Sequence, residues 1–370
     1  MAWRDRATQH PAPVSQPVNV AAPAPVNVAA PALREFIGAL FAHAGMSAAH
    51  AATVAGALVW ANLRGVDTHG AMRAARYLEW AATGVINVKP QLRVASDSPA
   101  MQILDADRAA GAVAMTAAAE AAMAKAASAG LGLVLVRETT HTGALGHFTE
   151  RVATRGMTAL AVCASVPMMA YHGARAAGVS TAPVSIAVPG ADATPILFDM
   201  ATGIVSMGAL HQAKRARQTL APGLALDTNG NPTTDSQAAA IPLPLGGPKG
   251  SGLALMIEML ASLTVGNPLV AEFFSGKPGA KRHRQNALIL AIDAFRFCPE
   301  DDFRRDVART VAAIKALPAD PQAGGILMPG ERGYAEAGRR ARAGIPLSAS
   351  VADELSAAAS KFGLAVPWIT

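Results

Sequence analysis

RGVDTHGAMRAARY, residues 64–77, sets a carboxylate, a hydroxyl, an imidazole, guanidinium groups and a phenol side by side in a 370-residue chain whose charged fraction is only 16%. Packing alone does not call for that density of reactive groups. Gly65 and Gly70 bracket the polar cluster as turn residues, and AMRAARYLEWAATG reads as a helix that stops at Gly84. Arg73 and Tyr77 are then four apart and share one face. A plainer reading is a polar helix start with Thr68 as its cap and solvated arginines.

Towards the N-terminus, Leu33, Phe36, Ile37, Leu40 and Phe41 keep helical spacing up to Gly45, and Ser47 can cap a second helix reaching about Arg64. Before them, PVNVAAPA occurs twice, at 17–24 and 25–32. With prolines too frequent for a helix and no face to bury, residues 1–32 are expected to form a disordered, extended tail. Towards the C-terminus, MQILDAD (101–107), LGLVLVRE (131–138), TALAVCAS (158–165), PVSIAVP (183–189), PILFDMA (195–201) and ALILAID (287–293) read as short buried strands. Alanine-rich helical stretches at 111–128 and 143–155 separate the first three, giving βαβαβ and an α/β class. No strand leads into GxGxxG, and GGPKGSG has the wrong order for a Walker loop. LALMIEMLASLTVG, beyond Gly250, is apolar on most sides and is expected to be buried. Segments 301–317 and 352–364 look like amphipathic surface helices.

The length permits an ample core. The hydrophobic fraction is 51%, yet no window is apolar enough for a membrane span, and the N-terminus lacks a signal-peptide run. Cys163 and Cys298 are the only cysteines, which excludes a disulfide framework or a four-cysteine zinc site and favours a reducing cytoplasm. The net charge of +6 is spread out, and aromatic residues make up 5% of the chain. Neither a long basic stripe nor a stacking platform for nucleic acid is present. KRHR, 281–284, reads first as a solvated loop and second as a contact for an anionic cofactor or substrate.

The run RGVDTHG is similar to the RG.DSHG motif of the malate/L-lactate dehydrogenase type 2 family. Further similar strings follow in the family's order: TTHTGALGHF (139–148), STAP (180–183), FDMATG (198–203), LPLGGPKGSGLALMIEML (243–260) and PGER (329–332). The resemblance spans about residues 33–350. It implies an enzyme that uses NAD or NADP to interconvert 2-hydroxy and 2-oxo acids or to reduce cyclic imino acids. The fold it implies is a non-Rossmann, nicotinamide-binding α/β fold with a mixed sheet. Both chain ends, 33–100 with about 330–370, would join in a helical domain carrying the catalytic histidine, and 101–329 would form the cofactor and substrate region. The family's homodimers place their active sites at the subunit interface. This chain departs from the family in having Ser180, Thr181, Ala182 and Pro183 for GTNP, Pro248 where a histidine is common, and Ser251 for tyrosine.

Oxidising a 2-hydroxy acid needs a base for the hydroxyl proton and a cation for the carboxylate. Histidine suits the first task because its pKa of about 6.5 lies near working pH. His69 matches the family histidine assigned to proton transfer; Asp67 can orient it or only bond the turn. Arg73 can make the two-pronged carboxylate bond that lysine cannot, or can form a surface ion pair. The resemblance also puts Thr68 and Tyr77 on the substrate side, although Tyr77 can serve in packing alone. His141, between a strand and a helix start, matches a family histidine near substrate and nicotinamide. Carried over in the same way as cofactor contacts are Ser165, Thr181, Asp199, Met200, Ala201, Lys249, Gly330, Glu331 and Arg332, with loop bonding by Asp199 and a plain turn at PGER as alternatives. His141 and His147 lack a nearby carboxylate or cysteine to complete a metal site. Two other functions compete: a metal-dependent lyase or hydrolase built on His69, Asp67 and His141, and a degenerate homologue that binds nucleotide without turnover, suggested by Ala182 and Pro248.

Overall fold

A computed structural model describes residues 25–280, 283–322 and 324–368. The first PVNVAAPA copy, and Lys281 and Arg282 of KRHR, lie outside the described residues. The second copy corrects the expected tail. Val26–Val28 forms β1, antiparallel to Ile345–Leu347, and Val28 is buried. α1 (Ala30–His43) then begins with Pro31 in its first turn, where a missing N–H leaves no bond unmade. The partner strand lies at the other end of the sequence, so a local reading of 26–32 finds nothing for it to pair with.

Ser47 caps α2 (Ala48–Leu63), its hydroxyl accepting the His50 N–H at 3.2 Å. The helix expected from Ala71 starts late. Residues Asp67–His69 and Ala71–Arg73 form two short 3₁₀ turns before α3 (Ala74–Ala82). Asn62 Oδ1 accepts the Ala71 N–H at 2.7 Å, and no side chain caps the turns, Thr68 included.

Next come β2 (Arg93–Asp97), β3 (Met101–Asp105), α4 (Gly111–Ala129), β4 (Leu131–Thr139), α5 (Gly146–Ala153) and β5 (Thr158–Ser165). A small hairpin, β6 (Met169–Ala170) and β7 (Ala177–Val179), precedes β8 (Val184–Val188), β9 (Ile196–Met200) and α6 (Met207–Arg215). Three short strands, β10 (Ala225–Leu226), β11 (Pro232–Thr233) and β12 (Ile241–Pro242), form a minor sheet. The chain continues through α7 (Pro248–Glu258), a π turn (Met259–Leu263), α8 (Val270–Phe274), β13 (Gln285–Ile292), α9 (Glu300–Lys315), α10 (Glu331–Ala343), β14 (Ile345–Leu347) and α11 (Ala349–Lys361).

The main sheet is mixed, with strand order β2-β3-β4-β13-β5-β8-β9. Among its pairs only β3 and β4 are parallel. All six expected strands are in it. β4 and β5 share a direction without touching, because β13 runs antiparallel between them. α4 lies on β4 through Ala118, Ala119, Ala122 and Ala126, all fully buried; small side chains let helix and sheet approach closely. Helices α1, α2, α3, α10 and α11 form a helical layer, the cap, in which α10 packs on α2 and α11 on α3, and Trp368 meets Phe36 edge-on at 5.3 Å.

α7 and its π turn depart from the expected burial. Ala254, Ile257 and Ala261 do pack inward, but Leu253, Met256, Met259, Leu260 and Leu263 are 41–55% exposed. Among the described residues no helix is long and apolar enough to cross a membrane.

Candidate active site

A cavity of about 550 Å³ opens between the helical layer and the strand ends, lined on one side by Thr68, His69 and Arg73 and on the other by His141, Ser165 and Asp199. His69 stands on a single 3₁₀ turn, so its position depends on what holds that turn. Buried Asn62 does part of this: besides taking the Ala71 N–H, its amide donates to Asp67 Oδ1 at 2.6 Å. Arg340 of α10 does the rest, with Nη1 and Nη2 forking onto Asp67 Oδ1 and Oδ2 at 2.6 and 3.0 Å and Nη1 also donating to Asn62 O at 2.7 Å. Asp67 is therefore a staple for the turn and does not bond His69. Thr68 Oγ1 lies 3.0 Å from His69 Nδ1. Arg73 Nε donates to the Thr68 carbonyl at 2.7 Å, and no carboxylate pairs with Arg73 among the described ion pairs.

His141 follows β4 from the sheet side. Gly111 opens α4 so close to it that a Cβ there would sit 2.3 Å from the His141 carbonyl oxygen. Tyr77 was expected to face the substrate; instead it is buried behind His141, with its hydroxyl 2.5 Å from Nδ1 and outside the lining of the main cavity. The His69 and His141 rings stack with centroids 5.6 Å apart and planes 19° apart.

Burial governs the charge states. It pushes His69 down to about 4, with the Arg73 guanidinium adding to the effect. His141 is driven well below the usual imidazole range by burial and then by Arg73 and His69. Burial raises the Tyr77 phenol, against the pull of Arg73. Desolvation also lowers Arg73, and Arg76 and Arg215 oppose its charge, although a guanidinium remains ionised in practice. At neutral pH the two stacked imidazoles are thus neutral, Tyr77 keeps its proton, and Arg73 beside them is a cation.

Of the residues expected to touch a cofactor, Ser165, Thr181, Asp199, Met200, Ala201, Gly330 and Arg332 line the cavity. Lys249 and Glu331 do not. Lys249 is exposed in the first turn of α7, and Glu331 turns to Lys315 Nζ at 2.5 Å and accepts the Met328 N–H at 3.0 Å. Asp199 accepts the Gly146 N–H at 2.7 Å, while burial lifts its carboxyl to about 6 despite that bond and Arg64.

Sequence reasoning missed several lining residues. Buried Arg64 pairs with Glu150 at 3.2 Å, donates to Gly330 O at 3.3 Å and lies 3.9 Å over the Tyr334 ring. Trp60, one helical turn earlier, donates to Glu150 as well. The four-residue spacing of Trp60 and Arg64 at the end of an otherwise apolar helix was a signal for this pair. Gln285, whose Oε1 accepts from Thr142 N at 2.9 Å and Cys163 Sγ at 3.2 Å, and Met207 and Gly208 at the start of α6, carried no such signal. His147 stays outside the cavity, half-buried between Trp60 and Phe148. Among the described residues, no three His, Cys, Asp or Glu side chains are grouped to hold a metal ion.

Residues 28–356 match the family model for malate/L-lactate dehydrogenase. The chain is 30% identical over 342 residues to a malate dehydrogenase of Pyrococcus horikoshii, covering 90% of this chain and 94% of that protein. A solved structure of malate dehydrogenase from Pyrococcus horikoshii OT3 superposes with a TM-score of 0.83 at 29% identity, covering 92% of this chain and 97% of that one. Identity is 31% over 300 residues with an NAD(+) ureidoglycolate dehydrogenase of Escherichia coli (strain K12), covering 81% and 86% of the two chains. It is 33% over 309 residues with a Δ1-pyrroline-2-carboxylate/Δ1-piperideine-2-carboxylate reductase of Pseudomonas putida, covering 82% and 88%.

Proposed function

The chain belongs to the malate/L-lactate dehydrogenase family, and on that premise we propose that it is an NAD(P)-dependent oxidoreductase acting at C2 of a 2-hydroxy or 2-oxo acid, or of a cyclic imino acid. For the first pair, 2-hydroxy acid and oxidised cofactor give 2-oxo acid, reduced cofactor and one proton. The observation that carries the reading is the stacked His69 and His141 pair in a cavity beside Arg73, a guanidinium that has no carboxylate partner among the described ion pairs.

The lining suits a dinucleotide together with a small acid. Met168, Leu197 and Met328 offer apolar wall, and Arg332, like Arg73, has no carboxylate partner among the described ion pairs, so one guanidinium serves phosphate and the other the substrate. A nicotinamide held by this lining would supply or take up the hydride. In the tautomer that donates Nδ1–H to Thr68 Oγ1, 3.0 Å away, His69 keeps Nε2 free to accept the hydroxyl proton in oxidation. Its low pKa keeps it a base until a substrate anion offsets the charge of Arg73. With Tyr77 as the donor to Nδ1, His141 carries its proton on Nε2 and presents it to the C2 oxygen. Tyr77 is thus a positioning residue, and Arg73 grips the carboxylate with its free Nη groups.

Absorbance at 340 nm, followed with NADH and NADPH against pyruvate, oxaloacetate, 2-oxoglutarate and Δ1-piperideine-2-carboxylate, tests this reading. Dinucleotide binding without turnover of any acid would overturn it. Arg73→Lys is expected to raise KM for the acid while leaving dinucleotide affinity unchanged.

Two further features belong to the same proposal. The exposed apolar face on α7 and its π turn supports a homodimer. Light scattering should give twice 37.7 kDa, and a fully active single chain would sink the dimer. Free Cys163 and Cys298 suit a reducing cytoplasm.

A further inference from the structure

We propose that a second cavity, behind the His141 wall and separate from the first, binds a small organic carboxylate through Arg108, and that its occupancy changes turnover. The binding is independent of the reading of the main cavity; the effect on turnover rests on the role given there to His141.

The second cavity encloses about 580 Å³, within the range of small-molecule sites. No residue lines both cavities, yet the two share walls. Glu138, Thr139 and Thr140 line the second and His141 and Thr142 the first; His283 and Arg284 line the second and Gln285 the first. The last two residues of KRHR, whose second reading from sequence was an anion contact, therefore stand at a cavity.

Backbone strain gathers at the same place. Among the described residues the non-glycine positions with positive φ are Asp107, Arg108, Glu138 and Arg217; Arg108, at 57°, and Glu138, at 54°, both line this cavity. Left-handed backbone disfavours a residue with a Cβ and persists where its surroundings over-determine it, ligand clamps among them. Here the Arg108 N–H donates to the Glu138 carbonyl at 2.7 Å, its own carbonyl accepts the Asn87 N–H at 2.9 Å, and Nη1 donates to the Gly84 carbonyl at 2.7 Å. Glycine would adopt this backbone without strain, so what the arginine adds is a fixed guanidinium on the cavity wall.

The charge on the lining is unbalanced in one direction. Glu138 pairs with Arg284, and Glu272 with Lys277 at 3.1 Å, whereas Arg108 has no acidic partner among the described ion pairs. With Nη1 held by Gly84, its Nε and Nη2 remain as the paired edge that takes a carboxylate by two bonds. One excess positive charge suits a carboxylate better than a phosphate ester, which is close to a dianion at neutral pH. Val85, Pro278 and Ala280 give the carbon body of the ligand an apolar wall.

A path of rings leads from this wall to the catalytic pair. His283 stacks on Trp80 with centroids 4.5 Å apart and planes at 28°, Trp80 stacks on Tyr77 at 5.6 Å, and the Tyr77 hydroxyl lies 2.5 Å from His141 Nδ1. Trp80 and Tyr77 are buried, and close packing passes a displaced ring on to its neighbour. A ligand that shifts His283 thus alters the bond that orients His141.

Benzoate, a monoanion with a flat apolar body, is the probe. Titrated calorimetrically into the Arg73→Ala chain, where the guanidinium assigned to substrate cannot take it, benzoate should still bind. Adding Arg108→Gly should weaken that binding about tenfold to a hundredfold, the size of a hydrogen-bonded charge contact. The melting temperature should hold or rise, because glycine relieves the left-handed strain. In the unsubstituted enzyme benzoate should change kcat by about twofold or more, an effect lost in Arg108→Gly. His283→Ala, on an exposed loop, should keep the binding and lose the effect on kcat. No binding to the Arg73→Ala chain, or binding that Arg108→Gly leaves unchanged, would overturn the site. A melting temperature lowered by Arg108→Gly would make the arginine a structural clamp and overturn the argument from strain. Binding with kcat unaltered would overturn the coupling. Turnover of no acid at all would sink the reading of the main cavity, while the calorimetry would still decide the second site.

Discussion

His69 and His141 meet face to face, yet they are delivered by opposite kinds of structure. His141 is placed by backbone: β4 is paired on both sides, by β3 and β13, and α4 begins against the histidine's own carbonyl through Gly111. His69 has no strand beneath it. Its short turn is held by side chains, Asn62 nearby and Arg340 from 273 positions along the chain. One half of the site is thus fixed by many buried amides, each contributing little, and the other by a few charged bonds on which much depends. Polar substitutions should therefore disturb the His69 half far more than the His141 half.

The largest break in this comparison is His69→Ala. With no other neutral imidazole facing the hydroxyl from the cap, turnover should fall about 10² to 10⁴-fold, while dinucleotide Kd, measured by fluorescence titration, stays as it was. More than a third of kcat surviving would remove His69 from proton transfer. Next is Arg340→Ala, which leaves Asp67 to Asn62 alone. The arginine side chain is 8% exposed but the carboxylate 44%, so water shares the cost. A loss of about 1–3 kcal/mol follows, seen as a melting temperature several degrees lower, together with a fall in kcat as the turn loosens. An unchanged melting temperature would mean that the staple is dispensable.

This contrast also explains what could be read from sequence. The strands of the His141 half were legible because their patterning is local: TALAVCAS coincides with β5, and LGLVLVRE falls one residue short of β4. The position of β13 between them was not, since an apolar run carries no record of its neighbours. On the cap, His69 and Arg73 stood out by chemical density and by resemblance. The Asp67–Arg340 bond, the β1–β14 pair and the turn of Tyr77 away from the cavity all depend on contacts between distant segments. Lys249 and Glu331 carried over by resemblance, yet an exposed first turn and a lysine partner, neither visible locally, take them off the cavity wall.

A smaller effect comes from Tyr77→Phe, which probes the one place where the cap supports the sheet-borne histidine. The ring remains to pack on Trp80 at 5.6 Å, and only the hydroxyl bond to His141 is lost. Removing one hydrogen bond from a buried acceptor corresponds to roughly a fivefold to a hundredfold change. The loss is expected in kcat, with little change in KM for the acid. The reverse, a raised KM at constant kcat, would return Tyr77 to the substrate side.

The smallest expected signal is the pH dependence of stability, and it sharpens the comparison because ionisable groups in both halves contribute. His69 on the cap and His147 in α5 are each lowered to about 4, and His141 lies well below its usual range, all chiefly through burial. In the unfolded chain each titrates near 6.5. As pH falls from about 6.5 to 4.5, the unfolded chain therefore takes up protons that the folded chain refuses, and stability is lost. Asp199 works in the opposite sense. Its folded carboxyl sits at about 6, against an ordinary 3.8, so over the same interval the folded chain binds a proton that the unfolded chain does not, and stability is gained. Three imidazoles outweigh one carboxyl, and the melting temperature should decline by a few degrees across this window. Asp199→Asn removes the counterweight and should steepen the decline; His147→Gln, outside the cavity, should flatten it without touching the catalytic pair. A melting temperature that holds level or rises between pH 6.5 and 4.5 would show that the buried imidazoles are not kept neutral, and with that the assignment of His69 as the resting base would fail.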